Sequence, residues 1–177
     1  MKGGDPFIFG RGGEEVQALA EAGIPWEVIP GVTAGVAAAA AVGIPLTHRA
    51  YGSSVTFLSG HRADAAPRGG SGAGLAQGPL VFFMCRTALG AIARDLVAAG
   101  RAPATPVAII QRGTCPDQVV YQTTVAALAA ADAADPWLDP EAPTRAVVGE
   151  VVAFAAALRR APPRPAAAPL VDRGQAA

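Results

Sequence analysis

Lys2-Gly3-Gly4-Asp5-Pro6-Phe7-Ile8-Phe9-Gly10-Arg11-Gly12-Gly13-Glu14-Glu15 is the stretch on which the fold turns. Paired glycines let a backbone approach a ligand closely, Pro6 stiffens the turn, and Glu14-Glu15 suit the N-terminus of a helix. One carboxylate, Asp5, stands before that helix begins. A loop of this kind normally follows a strand, and here only Met1 and Lys2 precede it. The expectation is therefore a domain entered partway. Short glycine patterns are weak signals by themselves, so the rest of the chain has to carry the weight.

Working outward, Glu14 to Ala22 has the spacing of a short helix stopped by Gly23, and Trp26 to Ile29 the pattern of a strand ended by Pro30-Gly31. Thr33 offers a hydroxyl cap to an alanine-rich helix that stops at Gly43. The two exits match, Gly23-Ile24-Pro25 and Gly43-Ile44-Pro45. Leu46 to Tyr51 is expected to cross between two lobes. Strands are expected at Ser54 to Ser59, Leu80 to Met84, Pro106 to Gln111, Gln118 to Thr123 and from Arg145. Helices are expected at Ala88 to Ala99, Val125 to Ala131 and up to Arg160. In the first of these Leu89, Ile92, Ala93, Leu96 and Val97 form one apolar stripe. Arg62 to Gly78, rich in Gly, Ala and Ser, is expected to be a mobile loop, and 161–177 a Pro/Ala-rich disordered tail. Alternating strands and helices give an α/β fold.

The 177 residues are 51% hydrophobic and 16% charged, enough to bury a core. A formal net charge of zero argues against binding nucleic acid through bulk electrostatics. Cys85 and Cys115 lie far apart without metal or redox spacing, which points to a reducing, cytoplasmic setting. The apolar stretch from Val32 to Pro45 is too short and too interrupted by Gly35 and Gly43 to span a membrane, and no secretory leader is recognisable. No metal cluster, Walker loop or Ser/His/Asp set appears.

Three strand-to-helix or strand-end turns gather where open α/β sheets bind ligands: Gly3-Gly4-Asp5, Pro30-Gly31-Val32-Thr33-Ala34 and Arg112-Gly113-Thr114. Each also has an ordinary structural reading. For His48-Arg49 a surface hinge competes with an anion contact.

Together these blocks resemble the tetrapyrrole methylase family, and within it the branch of uroporphyrinogen-III C-methyltransferases. The residues that carry the resemblance run from Gly3 to Glu15, through Ala22-Gly23-Ile24-Pro25 and Val28-Ile29-Pro30-Gly31-Val32-Thr33-Ala34. They continue through Gly43 to Arg49, Ser54 to His61, Val81 to Met84, Arg112-Gly113-Thr114 and Val147 to Val152. The resemblance implies two α/β lobes, usually in a homodimer, with S-adenosylmethionine held in the cleft between them. It implies C-methylation of uroporphyrinogen III to precorrin-2, which feeds sirohaem and cobalamin synthesis. Carried over by motif, Gly3, Gly4, Asp5, Ile8, Thr33, Ala34, Met84 and Gly113 would contact the donor. The substrate's carboxylates make Arg11, His48, Arg49 and Arg112 candidate partners.

On this resemblance residues 1–46 are the C-terminal portion of the first lobe and 47–160 the second lobe. The family's opening α/β segment, which carries its proton-transfer residues, is expected to be missing, so no position here inherits a catalytic role. The chain alone is then expected to bind S-adenosylhomocysteine weakly or not at all, and residues 1–46 to be poorly soluble. The rival expectations are a non-catalytic remnant acting as a dimerisation or interaction module, and a methylase acting on another precorrin.

Overall fold

A computed structural model describes residues 2–61, 75, 77–131 and 138–160. Most of the expected mobile loop and the whole expected tail lie outside the described residues. Five strands form one mixed sheet: β1 (Thr56–Ser59), β2 (Leu80–Phe83), β3 (Pro106–Gln111), β4 (Val119–Thr124) and β5 (Thr144–Val148). Their order across the sheet is β1-β2-β5-β3-β4. β1 runs parallel to β2, whereas β2–β5, β3–β5 and β3–β4 are antiparallel. Simple alternation of strands with helices implies more parallel pairing than this. β3 and β4 are consecutive strands joined by a short turn, which favours an antiparallel pair.

The helices are α1 (Gly12–Glu21), α2 (Ala34–Ala41), α3 (Leu89–Ala98), α4 (Val125–Ala130) and α5 (Glu150–Arg160), with a 3₁₀ turn at Arg86–Ala88. Successive side chains on a strand point to opposite faces, and here both faces are covered. Leu80 and Phe82, Val107 and Ile109, Ala146 and Val148 pack with Leu89, Ile92, Leu96, Val125 and Leu128 of α3 and α4. Val81 and Phe83, Ala108 and Ile110, and Val147 pack with Ala38 and Ala39 of α2 and Val151, Val152 and Ala155 of α5. Burial on both sides explains why β2 and most of β3 read as continuous apolar runs rather than alternating ones. The result is a three-layer α/β/α arrangement.

Two local expectations fail at the helices. Val97 is exposed, so the buried stripe of α3 is Leu89, Ile92, Ala93 and Leu96. Thr33 occupies the N-cap of α2, but its side chain makes no capping hydrogen bond; its Oγ1 is buried without a partner. The all-small sequence of α2 has a packing consequence. A Cβ on Gly35 would stand 2.6 Å from the Phe83 ring, so the helix lies directly on β2.

Trp26 to Ile29 is not a strand. Its residue types favour extended backbone, but a strand needs a neighbouring ladder, and among the described residues none pairs with it. No residue before Ala34 joins either buried cluster. Leu46 to Tyr51 leads into a tight turn closed by the bridge between His48 and Gly52, with Tyr51 N and Gly52 N both donating to His48 O.

Candidate functional site

The glycine-rich loop is held by its own carboxylate. Asp5 Oδ1 accepts from Phe7 N at 2.9 Å, and Asp5 Oδ2 accepts from Gly31 N at 3.3 Å. One side chain thus ties residues 3–7 to the turn that precedes α2. The two backbones meet closely: a Cβ on Gly31 would stand 2.6 Å from Gly4 O, so any larger residue forces the turns apart. Gly12 N donates to Pro6 O at 2.9 Å and closes the loop onto α1.

Phe9 (φ 53°), Arg11 (φ 56°) and Met84 (φ 50°) hold left-handed backbone although none is glycine. Such conformations cost of order 1–3 kcal/mol each and gather at ligand clamps. Phe9 and Met84 line one cavity, and Arg11 lines a second hollow that shares both residues. The first cavity, of about 200 Å³, is lined by Gly3, Gly4, Asp5 and Ile8 from the loop, Ala34 at the start of α2, and Met84 at the end of β2. Six of the eight expected donor contacts therefore come together from three separated stretches.

The other two do not line it. Thr33 lies behind the lining with its hydroxyl unpaired. A Cβ on Gly113 would stand 2.6 Å from the Ala38 Cβ, so that glycine lets β3's end approach α2 rather than facing the cavity.

The four candidate substrate cations are dispersed. Arg11 lines a shallow hollow of about 400 Å³ beside Met84 and Phe9, its Nε 3.4 Å from Glu14 Oε1. Glu14, at the first turn of α1, is held below the usual carboxylate range by a backbone hydrogen bond, with help from Arg11. Arg112 is engaged elsewhere: it pairs with Asp117 at 3.1 Å and with Asp139. Those carboxylates raise the Arg112 pKa, the Asp139 hydrogen bond foremost. His48 forms a tilted three-ring cluster with Phe154 (4.5 Å) and Tyr51 (5.0 Å), and its Nδ1 accepts from Ala50 N within the turn. Arg49 is exposed in the same turn and does not line the cavity.

Lys2, Phe9, Gly10, Phe83 and Arg145 also line the cavity and were not among the expected contacts; the last two come from the sheet. Phe83 ends β2 under the loop, its ring 4.8 Å from Phe9 and edge-on to Phe57. Arg145 stands opposite it on β5, with its guanidinium carbon 5.0 Å from the Phe83 ring centroid. An arginine inside an otherwise apolar central strand is the signal that could have found it. Nearby Cys85 is buried, and desolvation pushes its thiol up to about 12, so it is not a nucleophile. Among the described residues no group of His, Cys, Asp and Glu could hold a metal ion.

A mixed α/β/α sheet whose glycine loop, helix start and strand end converge on one cavity has the architecture in which α/β proteins place ligand sites. The family described as Tetrapyrrole (Corrin/Porphyrin) Methylases matches residues 1–129. The chain belongs to this family. A uroporphyrinogen-III C-methyltransferase of Sinorhizobium sp. is 45% identical over 161 residues, covering 89% of this chain and 56% of the relative. One from Synechocystis sp. is 46% identical over 90% of this chain and 61% of its own length. A siroheme synthase of Sodalis glossinidius is 49% identical over 87% of this chain and 32% of its length. Among solved structures, a Thermus thermophilus uroporphyrin-III C-methyl transferase complexed with S-adenyl homocysteine superposes with a TM-score of 0.72. It is 31% identical over 85% of this chain and 64% of its own. The chain spans between about a third and two thirds of the length of these relatives.

Proposed function

We propose that the chain takes part in methyl transfer from S-adenosylmethionine to ring carbons of uroporphyrinogen III, giving precorrin-2. The observation that carries this reading is the convergence of Gly3, Gly4, Asp5, Ile8, Ala34 and Met84 on one cavity. The Thermus relative bound to S-adenyl homocysteine and the names of the curated relatives support it. S-adenosylmethionine supplies an already activated methyl group, so the protein's task is alignment rather than acid–base chemistry.

The residues present suit that task. Backbone N–H and C=O groups of the glycine loop bind without mobile side chains, while Ile8 and Met84 give the cavity an apolar wall. A cavity of about 200 Å³ is below the range for holding a whole drug-sized ligand. These residues therefore hold part of the donor. Arg11, on the rim beside Met84, is the substrate-carboxylate contact best placed among the four candidates.

On this reading residues 1–46 belong to the donor-binding lobe, 47–160 form the second lobe, and the active species is a cytoplasmic homodimer. The test is product mass from uroporphyrinogen III and S-adenosylmethionine, with and without the portion of a longer relative that this chain does not span. Masses raised by one and then two methyl groups are expected when that portion is supplied. A folded dimer that never yields methylated product would instead favour an interaction module. The observation in that module's favour is an open apolar groove of about 580 Å³ lined by Phe7, Val16, Leu19, Trp26 and Ile29.

A further inference from the structure

The geometry points to Arg145 as an anchor for a ligand carboxylate at the wall of the loop cavity, a role that rests on the ligand class proposed above. Arg145 sits mid-sheet, paired in register with Phe83 of β2 and Ile110 of β3, and it lines the cavity with Asp5, Ile8 and Met84. Its environment is short of partners. Nη1 donates to Thr144 O at 3.0 Å, Nε is buried with no acceptor, and among the described residues no carboxylate pairs with the guanidinium.

A half-buried guanidinium without a counter-ion is costly, since desolvation of a charge is offset only by pairing and hydrogen bonds. Burial lowers the Arg145 pKa, which is the same imbalance in another form. The Phe83 ring supports the cation from one side at 5.0 Å but supplies no hydrogen-bond acceptor. Other groups at the wall do not fill the gap. Asp5 turns its two carboxylate oxygens to Phe7 N and Gly31 N, and no hydrogen bond or ion pair joins it to Arg145. What the site lacks is an oxyanion, and the planar guanidinium fork suits a carboxylate.

Two carboxylates could meet it: that of the donor's amino-acid part, or a side-chain carboxylate of the tetrapyrrole. The test tracks the Arg145 Nε–H resonance of the ¹⁵N-labelled full chain, assigned by its loss in Arg145→Leu. Titrants are S-adenosylhomocysteine, 5′-methylthioadenosine (the same thionucleoside without the amino-acid part), uroporphyrin III and glutarate.

A saturable shift with S-adenosylhomocysteine but not with methylthioadenosine assigns the donor's carboxylate. Arg145→Leu should then weaken S-adenosylhomocysteine about 10- to 100-fold and leave methylthioadenosine unchanged. A shift with uroporphyrin III alone assigns the substrate's. If S-adenosylhomocysteine binds wild type and Arg145→Leu equally and the resonance stays still, the anchor is refuted while the donor reading stands. If glutarate moves the resonance but neither nucleoside nor porphyrin binds even when the portion of a longer relative that this chain does not span is supplied, the anion site stands and the methyl-transfer reading fails. A resonance unmoved by every titrant overturns the inference outright.

Discussion

Gly23-Ile24-Pro25 and Gly43-Ile44-Pro45 are the same helix exit written twice, and they end differently. Both glycines are left-handed, at φ 67° and 68°. In each, the isoleucine N–H returns to a carbonyl of the last turn, Ile24 N to Leu19 O and Ile44 N to Ala39 O, both at 2.9 Å. Yet Ile44 is 3% exposed and Ile24 is 50% exposed. The local motif sets where the chain turns; a covering surface decides whether its isoleucine contributes stability. Ile44 has the sheet face under α2 and α5. Ile24 belongs to a segment whose apolar side chains (Phe7, Trp26, Ile29 and Val32 among them) remain exposed.

The largest expected contrast is therefore between identical substitutions. Ile44→Ala should destabilise by about 2–5 kcal/mol, as buried Ile-to-Ala changes do, read by urea denaturation. Within the sheet half, Gln111→Leu comes next. Gln111 is fully buried, donating to Asp139 O and Thr144 Oγ1 at 3.0 Å and accepting from Asp139 N at 3.1 Å. Leaving those groups unpaired should cost about 1–3 kcal/mol, and a loss as small as that at an exposed residue would break the picture of a satisfied core.

A smaller effect concerns acid. Backbone hydrogen bonding from Glu141 N, then Arg112, holds Asp139 below the usual carboxylate range. Its contribution is present above that range and is lost as pH falls through the lowered value. Melting temperature should fall as pH drops below about 4, the unfolded-state carboxylate value, and Asp139→Asn should flatten that part of the profile. Smallest of all, Ile24→Ala should change stability by less than about 0.5 kcal/mol. A cost approaching that of Ile44→Ala would mean the segment before α2 is covered in solution.

Much of the sheet half was legible because its cues are local. The apolar run Pro106 to Gln111 is a strand with the expected bounds, and α3, Leu89–Ala98, stops just before Gly100 as its cap signal indicated. Strand direction was not legible, since alternation does not record whether neighbours run parallel. Trp26 to Ile29 carries strand-forming residues, but pairing is a property of the neighbour. The glycine loop announced most of the cavity. Arg145 stayed hidden because its significance depends on Phe83 across the sheet and on the loop above, and neither adjacency is written locally. Gly113 shows the reverse: its motif suggested a ligand, and what the fold displays is its close approach to Ala38 of α2, outside the cavity lining.

The most direct test of the donor site is backbone amide mapping by NMR as S-adenosylhomocysteine is added to the full chain. Saturable shifts, even at millimolar ligand, clustered on Gly3, Gly4, Asp5, Ile8, Ala34 and Met84 are the expected result. Shifts confined to the Trp26–Ile29 groove, or none at all once the portion of a longer relative that this chain does not span is supplied, would contradict the assignment of this cavity to the methyl donor.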